Sequence, residues 1–335
     1  MANFYSFVIP VFNRPDEVDA LLESISKLYI KDLFFEVLII EDGSTLQANH
    51  ICSKWQAKIP VSYYMKSNTG PGDSRNFGMH KAKGNYFIIL DSDVSLPPHY
   101  LKTVDDFLQA HPKIDFWGGA DRSKKDFSAI QKAIDFSMTS FLTTGGIRGS
   151  KNKITSFEPR SFNMGISKQA FEASGGFGKI HPGEDPDLSL RLKDLGFKSA
   201  FIAKAYVFHK RRINLKKFQQ QIRKFGLVRP ILMKWHPRSK KATFFLPSLF
   251  VISLLTSLVL FILQLKLLFY SFVIYFMLLM LHSLLIHKSF KISLLAVVTS
   301  FIQLYVYGTA FLESYYFIHT LQKDETKQYP DLFFD

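Results

Sequence analysis

One cysteine, Cys52, occurs in 335 residues. That scarcity excludes an internal disulfide and any cysteine-built zinc cluster, and Cys52 reads as an ordinary, part-buried thiol. Acidic residues are missing from 195–241, a stretch that holds 14 Lys and Arg. The remainder carries 28 residues of each sign, so the formal charge of +14 is one local patch. Such a patch raises nucleic acid or an anionic membrane as partner. Met1–Pro10 lacks both a basic flank and a long apolar core; no signal peptide is read there, and the first half is expected to stay in the cytosol. Internal repeats and low-complexity tracts are absent. The length suits one large domain, or a domain with an appendage.

Long apolar runs, by contrast, are plentiful after Thr243. Residues 244–263, 267–286 and 292–312 are each about 20 residues long, the length of a bilayer span. Buried core helices are the alternative, but three such runs joined by short links are too apolar for it. The dense basic segment before the first run is expected to be cytoplasmic by the positive-inside tendency. The resulting expectation is three spans, with the N-terminus inside and the C-terminus outside; the third run, weaker and holding Gln303 and Gly308, lies at the interface if it does not span. The expected division is a catalytic domain over 1–212, a basic membrane-interface segment over 213–242, a membrane region over 243–320 and a tail over 321–335. In 213–242, Phe218, Ile222, Phe225, Leu227, Ile231 and Trp235 are interleaved with Lys and Arg. This pattern suits amphipathic helices on anionic membrane lipids better than it suits nucleic acid, which is not expected as a partner.

Residues 1–200 alternate strand and helix patterns. Phe4–Pro10, Phe34–Ile40 and Tyr86–Leu90 read as strands; Asp16–Leu28 and Ser74–Lys81 read as helices. This β-α-β-α-β order predicts an α/β domain with a mostly parallel sheet and helices on both faces. Polar clusters follow three strands: Pro10–Arg14, Glu41–Ser44 and Asp91–Asp93. In open α/β sheets such strand ends share one ligand-binding rim. The Asp-x-Asp triplet is by itself about as common as chance would give, and a second stands at Asp185-Pro186-Asp187. Position on the rim separates the first: two carboxylates at a strand end suit a hard divalent cation that keeps some water and bridges phosphates. The bland alternative is a solvated acidic turn. For the second triplet it is carboxylates at a helix N-terminus.

Val8-Ile-Pro-Val-Phe-Asn-Arg14, Leu38-Ile-Ile-Glu-Asp-Gly-Ser-Thr45, Asn68-Thr-Gly-Pro-Gly-Asp-Ser-Arg-Asn-Phe-Gly78, Leu90-Asp-Ser-Asp93 and Gly183-Glu-Asp-Pro-Asp-Leu188 follow one another in the chain. Together they resemble the successive signatures of glycosyltransferase family 2, over about residues 3–225. The resemblance implies a GT-A fold, a nucleotide-sugar donor, Mg2+ or Mn2+, and inversion at the anomeric carbon. It implies that Pro10, Phe12 and Arg14 wall the nucleotide and that Asp42 reaches its base or ribose. Arg75 is then the basic residue near the donor, meeting phosphate or Asp42. Asp93 is the direct metal ligand, Asp91 holds ribose or metal-bound water, and Ser92 lies between them in the donor site. Asp185 is the general base, with Glu184 in support. His209, closing Tyr206-Val-Phe-His, stands where related enzymes complete the metal site; the alternative is a structural histidine.

Gln220 and Arg223 match the Gln-x-x-Arg-Trp segment of processive members, with Arg223 in support of the site, but Lys224 replaces the Trp. That departure favours transfer of one sugar over polymer synthesis. The expectation is a membrane-anchored inverting enzyme, its site facing the cytosol, moving a sugar from a UDP-type donor to a lipid-linked acceptor in polysaccharide or glycolipid biosynthesis. Polyprenyl phosphate and a lipid-linked oligosaccharide stay open as acceptors. The rivals are a processive synthase and a nucleotide-binding transport subunit. The latter calls for paired intramembrane charges, to which only His282 and Glu313 come close.

Overall fold

A computed structural model describes residues 3–122, 128–144, 157–209 and 214–334, with His209 described through its backbone alone. The chain forms two compact units: the first takes 1–124, 151–210 and 333–335, and the second takes 125–150 and 211–332. The segment 125–150, placed by the sequence inside the catalytic domain, thus clusters with the second unit.

The first unit opens with β1 (Phe4–Val11), α1 (Pro15–Ile25), β2 (Phe34–Asp42), α2 (Asn49–Trp55) and β3 (Val61–Lys66). It continues through α3 (Pro71–Lys81), β4 (Tyr86–Leu90), β5 (Val94–Ser95), α4 (Tyr100–Ala110) and β6 (Phe116–Arg122). After α5 (Ala129–Thr139) and α6 (Phe141–Thr144), which belong to the second unit, come β7 (Asn163–Ser167), α7 (Lys168–Ser174), α8 (Glu184–Asp194) and β8 (Ser199–His209). The strands form one sheet in the order β3-β2-β1-β4-β7-β6-β8-β5. β1 to β4 run parallel, while β7 is antiparallel to both its neighbours. This is the mostly parallel α/β sheet the alternation predicts, with an antiparallel strand that Asn163-Met-Gly-Ile-Ser167 does not announce.

Side-chain alternation along the strands sends Tyr5, Phe7, Ile9 and Val11 to one face, against Val18, Leu21 and Leu22 of α1 and Leu101 and Val104 of α4. Val8, Phe87 and Ile89 point to the other, against Met79 of α3, Phe171 of α7 and Leu188 of α8. Both faces are therefore covered, which explains the near-continuous apolar strand sequences. Two buried polar pairs tie the strands to their neighbours. Ser6 Oγ donates to Glu36 Oε1 at 2.8 Å, and the Tyr100 hydroxyl donates to Asn163 Oδ1 at 2.6 Å.

Between the sheet's two halves the backbone is pinched. Asn163 Nδ2 donates to the Ala205 carbonyl at 2.9 Å, and a Cβ at Gly119 would lie 1.7 Å from that carbonyl oxygen.

The second unit contains α9 (Leu215–Trp235), α10 (Leu246–Ile262), α11 (Leu267–His287), α12 (Phe290–Tyr315) and α13 (Glu325–Gln328). Helical stretches over 242–262, 267–287 and 290–320 are long and apolar enough to cross a membrane. α9 buries Phe218 and Ile222 with Ile134 and Met138 of α5.

Because backbone cannot retreat from the pinch as a flexible side chain can, Gly119→Ala is expected to cost about 3 kcal/mol or more and to lower the thermal midpoint of the solubilised protein by about 6 °C or more.

Candidate active site

Parallel register brings the expected clusters to one edge. Val11 pairs with Glu41 and Val8 with Ile89, so the residues following β1, β2 and β4 leave the sheet side by side. Phe12 is 50% exposed at this rim. Asn13, in the left-handed region at φ 56°, turns the chain there. Its Oδ1 accepts from the Thr45 and Leu46 amides at 2.9 Å each, tying the loop after β1 to the loop after β2. The fully buried Glu41 accepts from the Ala48 amide at 2.8 Å and from the Ser44 hydroxyl, holding the second loop from beneath.

Asp42 is buried, and its carboxylate accepts from Lys66 Nζ at 3.0 Å and from the Thr69 and Gly70 amides at 3.1 and 3.0 Å. Lys66 also pairs with Asp73 at 3.0 Å. Asp42 therefore shapes the 66–70 loop, which leads through Gly70 (φ 91°) into α3.

Arg75, on α3, is 3% exposed. Its fork reaches two carboxylates: Nη2 donates to Asp91 Oδ1 at 2.9 Å and Nη1 to Glu184 Oε1 at 3.1 Å. The expected alternative of meeting Asp42 is not what the structure contains; Lys66 fills that place. Burial opposes the guanidinium's charge, but Asp91, Glu184 and Asp185 outweigh it and raise its pKa. The same side chain lies over the Phe177 ring, 5.3 Å from its centroid. Arg75 thus joins the end of β4 to the start of α8.

Glu184 is also buried, and His181 Nδ1 stands 2.9 Å from the carboxylate oxygen that Arg75 binds. Burial works against its charge, yet the hydrogen bond from His181 and the charges of His181 and Arg75 prevail and hold its pKa below the usual range. Asp185 behaves oppositely. Burial, and then the charge of Glu184, push its carboxyl above the usual range, against the pull of Arg75 and Arg160 and a hydrogen bond from Ser161. Its Oδ1 is a buried atom without a hydrogen-bond partner among the described residues. Two adjacent carboxylates in the first turn of one helix are therefore driven apart in acidity, the arrangement that assigns distinct acid–base roles. Asp187, in contrast, is taken up by Arg191 Nε and Nη2 at 3.0 and 2.9 Å. Arg191 in turn donates to the Ser174 and Gly176 carbonyls, each at 2.6 Å, fixing the Gly-rich approach.

Ser92 is buried, and Arg14 Nη1 lies 3.3 Å from Asp93 and 2.9 Å from Glu17. Asp91 remains partly open, with 35% side-chain exposure. Among the described residues no group of three His, Cys, Asp or Glu gathers around a common metal position. The backbone of His209 pairs with Val94, next to Asp93, but its side chain lies outside the described residues. Arg223 belongs to the second unit and pairs with Glu313 at 2.9 Å. Sequence reading missed Lys66, Asn76, His181 and Arg191. Asn76 and His181 lie in or beside quoted motifs; Lys66 and Arg191 lie outside them and act on motif residues, Asp42 and Asp187.

A profile of glycosyl transferase family 2 matches residues 6–174, half of the chain. The chain belongs to glycosyl transferase family 2. Poly(ribitol-phosphate) beta-N-acetylglucosaminyltransferase TarS of Staphylococcus aureus is 30% identical over 109 residues, 32% of this chain and 19% of TarS. An uncharacterised glycosyltransferase of Haemophilus influenzae is 31% identical over 118 residues, 33% of this chain and 36% of that protein. The chain thus spans only a fifth to about a third of these relatives' length.

Among solved structures, TarS 1-349 in complex with UDP-GlcNAc superimposes with a TM-score of 0.50 at 18% identity, covering 68% of this chain and 67% of that one. Mannosyltransferase PcManGT from Pyrobaculum calidifontis, in complex with GDP-Man and Mn2+, superimposes with a TM-score of 0.59 at 14% identity, covering 97% and 89%. These likenesses establish the GT-A fold of this family 2 enzyme, with the three apolar helices following it.

Removing the Arg75 fork leaves two buried or half-buried carboxylates without compensation. Arg75→Ala is expected to destabilise by about 3–5 kcal/mol in thermal or denaturant unfolding. Arg75→Lys keeps the charge but not the bidentate reach, and is expected to fold while its transferase turnover falls on the order of 100-fold.

Proposed function

We propose that the protein is an inverting glycosyltransferase that moves a sugar from a UDP-type donor to a lipid-linked acceptor at the cytoplasmic face of the membrane, in polysaccharide or glycolipid biosynthesis. The observation that carries this reading is the Arg75 bridge, which joins Asp91 at the donor rim to Glu184 beside Asp185. The likeness to TarS in complex with UDP-GlcNAc and to PcManGT in complex with GDP-Man supports a nucleotide-sugar donor. The three apolar helices support a membrane-borne acceptor.

Asp185 is the base in this reading. Its Oδ1, without a partner among the described residues, takes the proton of the acceptor hydroxyl as the hydroxyl oxygen bonds to the anomeric carbon and the bond to the nucleoside diphosphate breaks on the opposite face. Glu184, kept ionised by Arg75 and His181, stays an anion beside it and holds the proton affinity of Asp185 up. Pro10, Phe12 and Arg14 line the nucleotide's place, and Asp42 acts by setting the loop that leads to α3. Asp93 and Asp91 are hard oxygen donors on the rim, fit for Mg2+ or Mn2+ with waters and phosphate completing the shell. A metal held there would supply charge stabilisation for the departing diphosphate. His209 is proposed as a further donor to it, and Arg223 as a support for the neighbouring segment through Glu313.

The test uses purified protein in lipid vesicles with nucleotide-sugar donors, a lipid acceptor and Mg2+ or Mn2+. Asp185→Asn is expected to lower kcat at least about 100-fold. Asp93→Asn is expected to abolish the dependence on metal together with most of the turnover. Near-normal turnover in either variant refutes the assignment, and long polymeric products in mass spectra refute single transfer.

A pH series adds an independent arm. Because the base acts deprotonated, activity is expected to fall with acid on a limb above the ordinary carboxylate range. Stability carries the opposite sign. A carboxyl whose folded pKa is raised stabilises the fold below its unfolded value and loses that contribution as pH rises through the folded one. Asp185→Asn is therefore expected to raise the thermal midpoint near neutral pH while removing activity.

A further inference from the structure

The chain leaves the first unit at residue 210 and supplies residues 333–335 to that same unit. Phe333 forms an antiparallel bridge with Ile180, the Phe334 amide donates to the Lys179 carbonyl at 3.1 Å, and the Phe334 ring lies over Gly70. A chain that departs from and returns to one water-soluble unit crosses a bilayer an even number of times. Three apolar helices cannot all span.

Contacts inside the second unit identify the one that does not. α10 and α11 form an antiparallel hairpin, with Phe261 against Phe269 at 4.6 Å near its tip and Phe250 against Phe272 at 5.5 Å further down. If α12 continued across from the end of α11, Gly308 would stand about 27 Å up the helix. Gly308 instead meets the first turn of α10: its carbonyl accepts from Ser248 Oγ at 3.1 Å, and a Cβ on it would sit 2.3 Å from the Pro247 carbonyl oxygen.

α12 also runs beside α9, a helix with six Lys and Arg and no acid, which hydrocarbon would not accept. Ser314 Oγ donates to the Leu227 carbonyl at 2.7 Å, His319 Nε2 lies 2.9 Å from the Pro230 carbonyl, and Arg223 pairs with Glu313 at 2.9 Å. Beyond α12, Glu325 receives Lys234 Nζ and Trp235 Nε1, both at 2.7 Å. Lys234 and Trp235 precede the first apolar helix and Glu325 follows the last, so both ends of the membrane region lie on one side. On the α5 side, Thr299 Oγ1 donates to the Ala133 carbonyl at 3.0 Å. Of the most apolar part of Phe290–Thr320, 39% is buried, against 17% and 11% for the other two. What stays exposed is one apolar stripe, including Leu294, Val298, Phe301, Tyr305, Leu312 and Tyr316.

We propose that only the α10–α11 hairpin crosses the membrane, while α12 lies in the bilayer surface alongside α9 with its apolar stripe immersed among the lipids. Both chain ends then stand on the side of the catalytic unit, in place of the opposite-sided ends that hydropathy suggests. The occupant of the stripe is the bilayer into which the adjoining hairpin inserts, and the cations of α9 suit its anionic headgroups.

Site-directed labelling with a membrane-impermeant maleimide decides the matter. Native Cys52 is 1% exposed and its thiol is pushed up to about 12 by burial, so it stays silent in the full chain. Single variants Leu265→Cys at the hairpin tip, Lys291→Cys at the start of α12 and Lys323→Cys beyond it place exposed thiols at the informative points. In intact cells Leu265→Cys is expected to label while Lys291→Cys and Lys323→Cys label only after permeabilisation. In inside-out vesicles the pattern is expected to reverse. Labelling of Lys323→Cys from outside intact cells overturns the proposal in favour of three crossings. Failure of Leu265→Cys to label from outside, with labelling in inside-out vesicles, overturns it in favour of none.

Discussion

A guanidinium with 3% exposure needs compensation, and Arg75 finds it in Asp91 and Glu184. Removing a charge from water is costly, and here the two terminal nitrogens recover that cost from opposite charges while Nε keeps no partner among the described residues. That requirement organises the site. α3 must start at the 66–70 loop, so Asp42 and Lys66 brace that loop. The approach to α8 must hold Glu184 within reach, so Asn76 exchanges hydrogen bonds with the Phe177 backbone at 2.8 and 2.9 Å, and Arg191 pins Ser174 and Gly176. The acidity split between Glu184 and Asp185 follows: one carboxylate receives the cation and His181, while the other keeps the proton affinity that burial and a neighbouring anion impose.

Two Asp-x-Asp triplets of equal appearance therefore differ through what surrounds them. The first ends a parallel strand, where carboxylates face the edge at which ligands bind. In the second, the two aspartates part ways within one turn of helix. Asp187 is consumed by Arg191 in holding a glycine-rich loop, and Asp185 keeps a buried oxygen without a hydrogen-bond partner among the described residues. A bidentate arginine four residues on is a signal that spacing alone could have offered, since i and i+4 lie on one helical face.

Much of the first unit was legible because its physics is local. Strands covered on both faces must be apolar, parallel strands need helical crossovers, and ligand-bearing loops follow strand ends. The order of β1, β2 and β4 and the clusters behind them came directly from such patterns. What escaped reading depends on distance along the chain. β7 inserts antiparallel between β4 and β6 from some 40 residues beyond β6, and its sequence carries only the usual half-apolar alternation. Lys66 displaced Arg75 from Asp42 because β2 and β3 are parallel neighbours in register, Asp42 facing Lys66, a pairing no motif encodes.

The membrane region shows the same limit from the other side. Hydropathy registers that a helix has lost its charges but not what its faces touch. α10 and α11 are apolar over most of their surface, as helices that meet lipid must be, and among the polar groups of α11 Tyr275 and His282 meet the Leu142 carbonyl and Ser140. α12 is apolar for two different reasons: one stripe meets lipid, and the opposite face, with Ser293, Ala296, Thr299, Ser300, Ala310 and Ser314 buried, lets neighbouring backbones approach closely. Small and hydroxyl-bearing residues add to a hydropathy average without implying hydrocarbon on every side. Periodicity within the run, more than its length, separates a helix that crosses from one that lies along the surface. The decisive constraint remains the return of the chain: residues that complete the first unit after the last apolar helix allow only an even count of crossings.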